Sequence, residues 1–389
     1  MRRVWVVLAV GMLALSGCAA SALSPSPTAT RGPAPSPTPT PTPTPTPDPV
    51  DALTLEQQVG QLFMVGTDVA SASPDTLSAV ADRHVGSIFL HGRTQGGAAA
   101  VARVVAQFTA PVSPQTTASV PLCVATDQEG GEVQVIRGPG FDDIPYAIRQ
   151  ADDPASVLQQ TAERWGGQLA TAGVDMNLAP VADIVTSHDT RFDNPPIGAL
   201  GRQYGYDAQT VAAEAGAFAA GMRAAGILPT FKHFPGLGRV TANTDTAANV
   251  VDDIIGADSP DVAVYKELIA GGPCLVMMST AVYSRIDGAN PAAFSSAAVT
   301  GILREQIGFT GVITTDDLSA AAQVQAIAPA DRAVRAVEAG VDLVLVSADP
   351  SVLPAMYDAV LARAQSDSAF AAQVTAAAGR VLAAKSWRG

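Results

Sequence analysis

Eight short apolar runs constrain this chain more than any other feature. They fall at 61–66, 85–91, 122–126, 174–180, 227–232, 274–279, 311–315 and 341–347. Most are continuously apolar rather than alternating, as expected of strands covered on both faces. Helix patterns separate them. Asp207 is placed to cap a helix that brings Val211, Ala215, Phe218 and Met222 to one face, and Gly226 stops it. Ser295 opens a second, with Val299, Ile302, Leu303 and Gln306 before Gly308; a third, 331–339, ends at Gly340. Alternating strands and helices imply an α/β chain folded as a single (β/α)8 TIM-type barrel. An open doubly wound sheet is the alternative, but the first run is not followed by the spaced glycines of a dinucleotide fold.

A barrel of this kind does its chemistry at the C-terminal ends of its strands. The residues near those ends are polar here. Asp127-Gln128-Glu129-Gly130-Gly131 follows the third run; Asn177 and Asp183 mark the end of the fourth, and Asp316-Asp317 that of the seventh. The fifth run opens into a Gly-rich loop, 227–246, that gathers Lys232, His233, Arg239, Asn243 and Asp245. Any one of these could be a turn or a helix cap, as Asp317 before Leu318-Ser319 illustrates. Together, on one side of one fold, they point to an enzyme site.

The remainder of the chain reads as an export device. Arg2 and Arg3 precede an apolar run, 4–15, too short to span a bilayer comfortably. Leu15-Ser16-Gly17-Cys18 resembles the lipobox of bacterial lipoproteins, which implies cleavage before Cys18 and lipidation of its thiol. Residues 1–18 are therefore expected to be a signal peptide. Residues 19–50, with the repeat PTPTPTPTP, should be a disordered, extended spacer, because proline lacks the amide proton that a ladder needs. The folded domain is expected at 51–389, on the outer face of a cytoplasmic membrane through the lipid at Cys18. A net charge of −13 without an evident basic face argues against a nucleic-acid partner. Cys123 and Cys274 sit in strand-like runs, where buried thiols are common.

The motifs TDQEGGEVQ, GVDMNLAPVADI, NPPIGALGRQYG, FKHFPGLG, VMMSTAVY with IDG, and GFTGVITTDDLS occur in that order. They resemble the bacterial β-N-acetylglucosaminidase (β-hexosaminidase) branch of glycoside hydrolase family 3, in a single-domain, lipoprotein form. The resemblance implies a retaining exo-β-glycosidase acting on terminal β-N-acetylglucosamine, with a cell-wall fragment as the expected carbohydrate partner. Asp316 would be the nucleophile. Asp127, Arg202, Lys232 and His233 would hold the terminal sugar, whose hydroxyls suit charged and bidentate hydrogen bonds. No metal or organic cofactor is implied, and the chain is expected to act as a monomer.

Several positions depart from the family pattern. The loop after KHFPG usually carries Asp-Ser-His, the histidine serving as acid/base; here it reads Asn243-Thr244-Asp245. Asp245 is expected to take over proton transfer, its carboxyl raised by burial or by the negative nucleophile, with Asn243 beside it in the binding site. Leu237 replaces a second histidine, and Thr280 another. Glu132 and Val135 stand where arginines are usual, so Arg137 is expected to compensate. Four other outcomes stay open: β-glucoside specificity, a phosphorolytic rather than hydrolytic second step, a sugar-binding lipoprotein without catalysis, and a Schiff-base aldolase built on Lys232.

Overall fold

The computed structural model describes Gly32 and residues 49–387. The signal peptide with Cys18, and the spacer apart from Gly32, Pro49 and Val50, lie outside the described residues. The folded unit begins slightly before residue 51. A 3-10 turn, Pro49–Ala52, buries Val50 against the core.

Eight parallel strands form the central sheet: β1 Phe63–Asp68, β2 Ser87–His91, β3 Cys123–Thr126, β4 Met176–Asn177, β5 Leu228–Phe234, β6 Leu275–Met278, β7 Val312–Thr315 and β8 Val344–Val346. Their order is β7-β6-β5-β4-β3-β2-β1-β8. The ends of that order meet. A parallel bridge joins Thr314 to Leu343, and the Thr315 amide donates to the Leu343 carbonyl at 3.0 Å. The sheet therefore closes into a barrel, wrapped by the helices that follow each strand.

Two apolar layers explain why the strand runs lack alternation. Met64, Phe89, Ala125, Met176, Leu228, Met277, Val312 and Leu345 fill one cluster. Their chain neighbours Phe63, Val65, Ile88, Leu90, Val124, Val276, Ile313, Val344 and Val346 belong to the other, larger one. Successive strand side chains point to opposite faces, so the first set fills the barrel and the second meets the helices.

The helices start and stop for identifiable reasons. Asp207 accepts from the Thr210 amide at 2.8 Å and caps Ala208–Ala224, which buries Val211, Ala215, Phe218 and Met222. The Ser295 hydroxyl accepts from the Ala298 amide at 3.3 Å ahead of Ala297–Gln306, which is wound as a π-helix. Pro329–Ala339 starts two residues before the expected 331, with proline in its first turn, and ends at Gly340, φ 106°.

Strand bounds shift by a few residues from the expected runs, and two of the shifts have a clear cause. Gln61 finishes the preceding helix Leu55–Gln61, which a reciprocal Thr54–Gln57 capping box starts, so β1 begins at Phe63. In the 174–180 run only Met176 and Asn177 pair on both sides, and Pro180 has no amide to donate.

Candidate active site

The C-terminal strand ends open into a cleft of about 410 Å³. Asp127, Arg202, Lys232, His233, Asn243, Asp245, Asp316 and Asp317 all line it, with Leu237 and Met277 among its apolar walls. Seven of the eight residues expected to catalyse or bind are thus brought together. Arg137 is not: its guanidinium pairs with the Asp143 carboxylate and donates to the Gly131 carbonyl at 2.7 Å, and it does not line the cleft. The spacing from Val135 does not turn it inward, because Val135 and the intervening Ile136 are both packed into the core.

Lys232 sits at the end of β5, where the pairing with β6 shifts register between Lys232 and Phe234. Its ammonium reaches Asp127 at 2.8 Å and Glu129 at 2.6 Å. Glu129 also takes a bidentate pair from Arg202, at 2.9 Å from Nε and 2.7 Å from a terminal nitrogen. The Glu129 turn needs its glycine. Gly130 has φ 112°, and a Cβ there would stand 2.2 Å from the Pro145 carbonyl oxygen.

Charge settles how these groups titrate. Burial alone would raise Glu129, but Arg202 and Lys232 hold it at about 2. Burial would lower Lys232, and Asp127 and Glu129 overcome it, holding the ammonium above its ordinary value. An amine nucleophile needs the reverse shift, so the Schiff-base reading of Lys232 loses its support.

His233 follows. Its Nδ1 lies 2.8 Å from Asp183 Oδ2, so Nδ1 carries the proton and Nε2 is left to the cleft. Asp183 Oδ1 accepts from the amides of His233 at 3.1 Å and Leu237 at 2.7 Å, which fixes the start of the Gly-rich loop. Leu237 is buried and Gly238 passes close under Ile184, whose carbonyl oxygen a Cβ would meet at 2.1 Å. Thr280 is wholly buried with its hydroxyl unpartnered, a structural position rather than a cleft one.

Asp316 and Asp317 part company after β7. The Asp317 amide donates to Asp316 Oδ1 at 2.8 Å, and Asp316 faces the cleft. The Asp317 carboxylate is more heavily engaged. It accepts from the Ser319 amide and hydroxyl and from the amides of Ala320 and Ser347, so it organises the loop. Across from them, Asp245 stands on the rim, its amide donating to Asn243 Oδ1 at 2.9 Å. Asp245 is exposed as a residue, but the cleft walls around its carboxyl displace part of its water. That desolvation, then the Asp316 charge, lift it; His233 and Arg202 oppose them, and the group comes to about 6.

Residues 54–384 match the description "Glycosyl hydrolase family 3 N terminal domain". The chain belongs to glycosyl hydrolase family 3. A solved Beta-N-acetylhexosaminidase from Beutenbergia cavernae is 57% identical, covering 86% of this chain and 99% of its own, with a TM-score of 0.85. Beta-hexosaminidase LpqI of Mycobacterium tuberculosis is 31% identical over 308 residues, 75% of this chain and 73% of that protein. A Beta-hexosaminidase of Vibrio cholerae is 35% identical over 229 residues, 58% of this chain and 66% of the relative's length.

Two members of the site, Glu129 and Asp183, were visible only as polar strand-end residues without a role. Their partners Arg202 and His233 lie 73 and 50 residues away along the chain. The usable signal was an acid placed two residues after Asp127 in a barrel that also supplies a lysine and an arginine.

Proposed function

We propose that this family 3 protein is a retaining exo-β-glycosidase that removes terminal β-linked N-acetylglucosamine, with cell-wall fragments as its substrates. The observation that carries the reading is the pair of carboxyl groups in one cleft, with Asp245 held at about 6 near the Asp316 charge. A retaining mechanism needs those two states together. The Asp316 carboxylate attacks the anomeric carbon while the protonated Asp245 gives its proton to the departing oxygen. The glycosyl ester on Asp316 then breaks as water attacks the same carbon, and Asp245 takes the water's proton. Asp127, Arg202, Lys232, His233 and Asn243 hold the terminal sugar through its hydroxyl and amide groups. Export follows from the lipobox-like end at Cys18, with the protein acting as a lipid-anchored monomer held off the membrane by its Pro/Thr spacer.

The test is release of the aryl group from aryl β-N-acetylglucosaminide and aryl β-glucoside by the wild type and by Asp316→Asn. Cleavage of the amino sugar, lost in the variant, is expected. Preference for the glucoside would reassign the sugar. Cleavage of neither, with direct binding of wall fragments, would make the protein a sugar receptor.

A further inference from the structure

The loop that carries Asp245 has little to hold it. Between Val240 and Val250 only Thr244 is buried. Its start is tied down by Asn194, whose amide donates to the Leu237 and Val240 carbonyls at 2.8 and 2.7 Å, and by the Arg239–Asp261 ion pair. None of these reaches Asp245. What does reach it comes from the segment that follows Asp316. The Ala322 amide donates to the Asp245 carbonyl at 3.1 Å, and the Gln323 amide to the Thr244 carbonyl at 3.0 Å. The Gln323 side chain then grips the far end of the loop. Its Oε1 accepts from the Val250 amide at 2.8 Å and its Nε2 donates to the Val250 carbonyl at 3.2 Å.

That segment is itself rigidly built. Arg332, buried in the first turn of helix Pro329–Ala339, donates to the carbonyls of Leu318, Ser319, Gln325 and Ile327. The Gln325 side chain adds a bond from its Nε2 to the Ser319 carbonyl at 2.9 Å. One continuous set of hydrogen bonds therefore runs from the strand end bearing Asp316, through the 318–327 segment, to both sides of Asp245.

We propose that Gln323 is a positioning residue that latches the Asp245 loop to the segment behind Asp316, fixing the donor carboxyl against the nucleophile before substrate arrives. The proposal rests on the glycosidase reading above and deepens it. The latch touches neither the sugar nor the reacting atoms. It acts by removing the loop motion that would otherwise have to be frozen at each turnover, and small displacements of a proton donor are costly in rate.

A latch of the donor has a signature that a general loss of stability lacks. Proton donation matters for a poor leaving group and hardly at all for a good one. The experiment measures kcat/KM of the full chain for an alkyl β-N-acetylglucosaminide and for the 2,4-dinitrophenyl glycoside, in wild type, Gln323→Ala and Gln323→Glu. In Gln323→Ala the alkyl substrate should slow by about tenfold or more, with the dinitrophenyl substrate within about twofold. Gln323→Glu keeps the acceptor for the Val250 amide and loses the donor, so it should fall between, and it stands in should the alanine variant not fold. Equal slowing of both substrates, or slowing of neither, overturns the latch and leaves the glycosidase reading intact. A wild type inactive on both substrates overturns that reading and the latch with it.

Discussion

At the C-terminal end of the barrel Glu129 lies between Arg202 and Lys232; at the N-terminal end Asp342 lies between Arg304 and Arg380. Both carboxylates are buried, and each receives two cations. They differ in where the remaining valences go. Around Asp342 they end mostly in backbone, and Arg380 reaches the surface. Arg304 donates to the Phe309 and Gly311 carbonyls, and Asp342 accepts from the Ile313 amide at 2.8 Å, beside the seam between β7 and β8. Around Glu129 they lead outward: Lys232 spends its next bond on Asp127, which is half-buried and lines the cleft. The first network staples the barrel, and the second presents a carboxylate and two cations to the cleft. Volume does not make the distinction. A groove of about 730 Å³ at the N-terminal end exceeds the cleft at the C-terminal end, yet among the described residues that line it only Lys266 and Arg380 are charged and none is a carboxylate.

Substitutions can pull the two ends apart. The largest effect belongs to Asp316→Asn, which should lower aryl glycoside turnover by about a thousandfold or more, because no ester can form. Its thermal unfolding should stay close to wild type. Next come the matched variants Glu129→Gln and Asp342→Asn. Each leaves two cations without their carboxylate and should cost about 3 kcal/mol or more in chemical denaturation. Only Glu129→Gln should also depress kcat/KM of the folded enzyme, since Arg202 and Lys232 are then free to shift. Comparable losses of activity in both variants would erase the distinction between the two ends.

The pH dependence sharpens it further. Glu129 falls from its ordinary 4.5 to about 2 on folding, so its contribution to stability is complete above about pH 4.5 and is lost as the pH falls toward 2. The gap between wild type and Glu129→Gln should close over that window. Asp245 gives the opposite sign. Held at about 6, it is the protonated acid only below that pH, so kcat/KM for an alkyl glycoside should decline as pH rises through about 6. Asp245→Asn should remove that limb and slow the alkyl substrate about a hundredfold more than the dinitrophenyl one. The smallest effect is expected of Arg137→Ala, whose KM should stay within about twofold of wild type because its guanidinium is engaged outside the cleft.

Much of this was legible in the residues. Continuous apolar runs gave the barrel because both faces of every strand are covered, and the polar strand ends gave the site. What escaped reading was whatever depends on long-range geometry. Glu129 and Asp183 act through partners far along the chain, and Gln323 sits in a stretch with no motif. Arg137 misled for a related reason. Two residues of spacing in an extended segment keep a side chain on the same face only while the strand continues, and β-structure at Val133–Gln134 has already ended there. The β1 boundary moved because a capped helix runs directly into the strand, a junction that apolar content alone does not mark.

In the proposed mechanism the Asp316 carboxylate is the nucleophile that carries the covalent glycosyl ester. A slowly turned-over 5-fluoro-β-N-acetylglucosaminyl fluoride should trap that species, and peptide mapping by mass spectrometry would locate it. The expected result is one fluorinated sugar on the peptide containing Asp316, absent in Asp316→Asn. A sugar found on any other residue, or fluoride released at a steady rate with the protein mass unchanged throughout, would rule out Asp316 as the nucleophile.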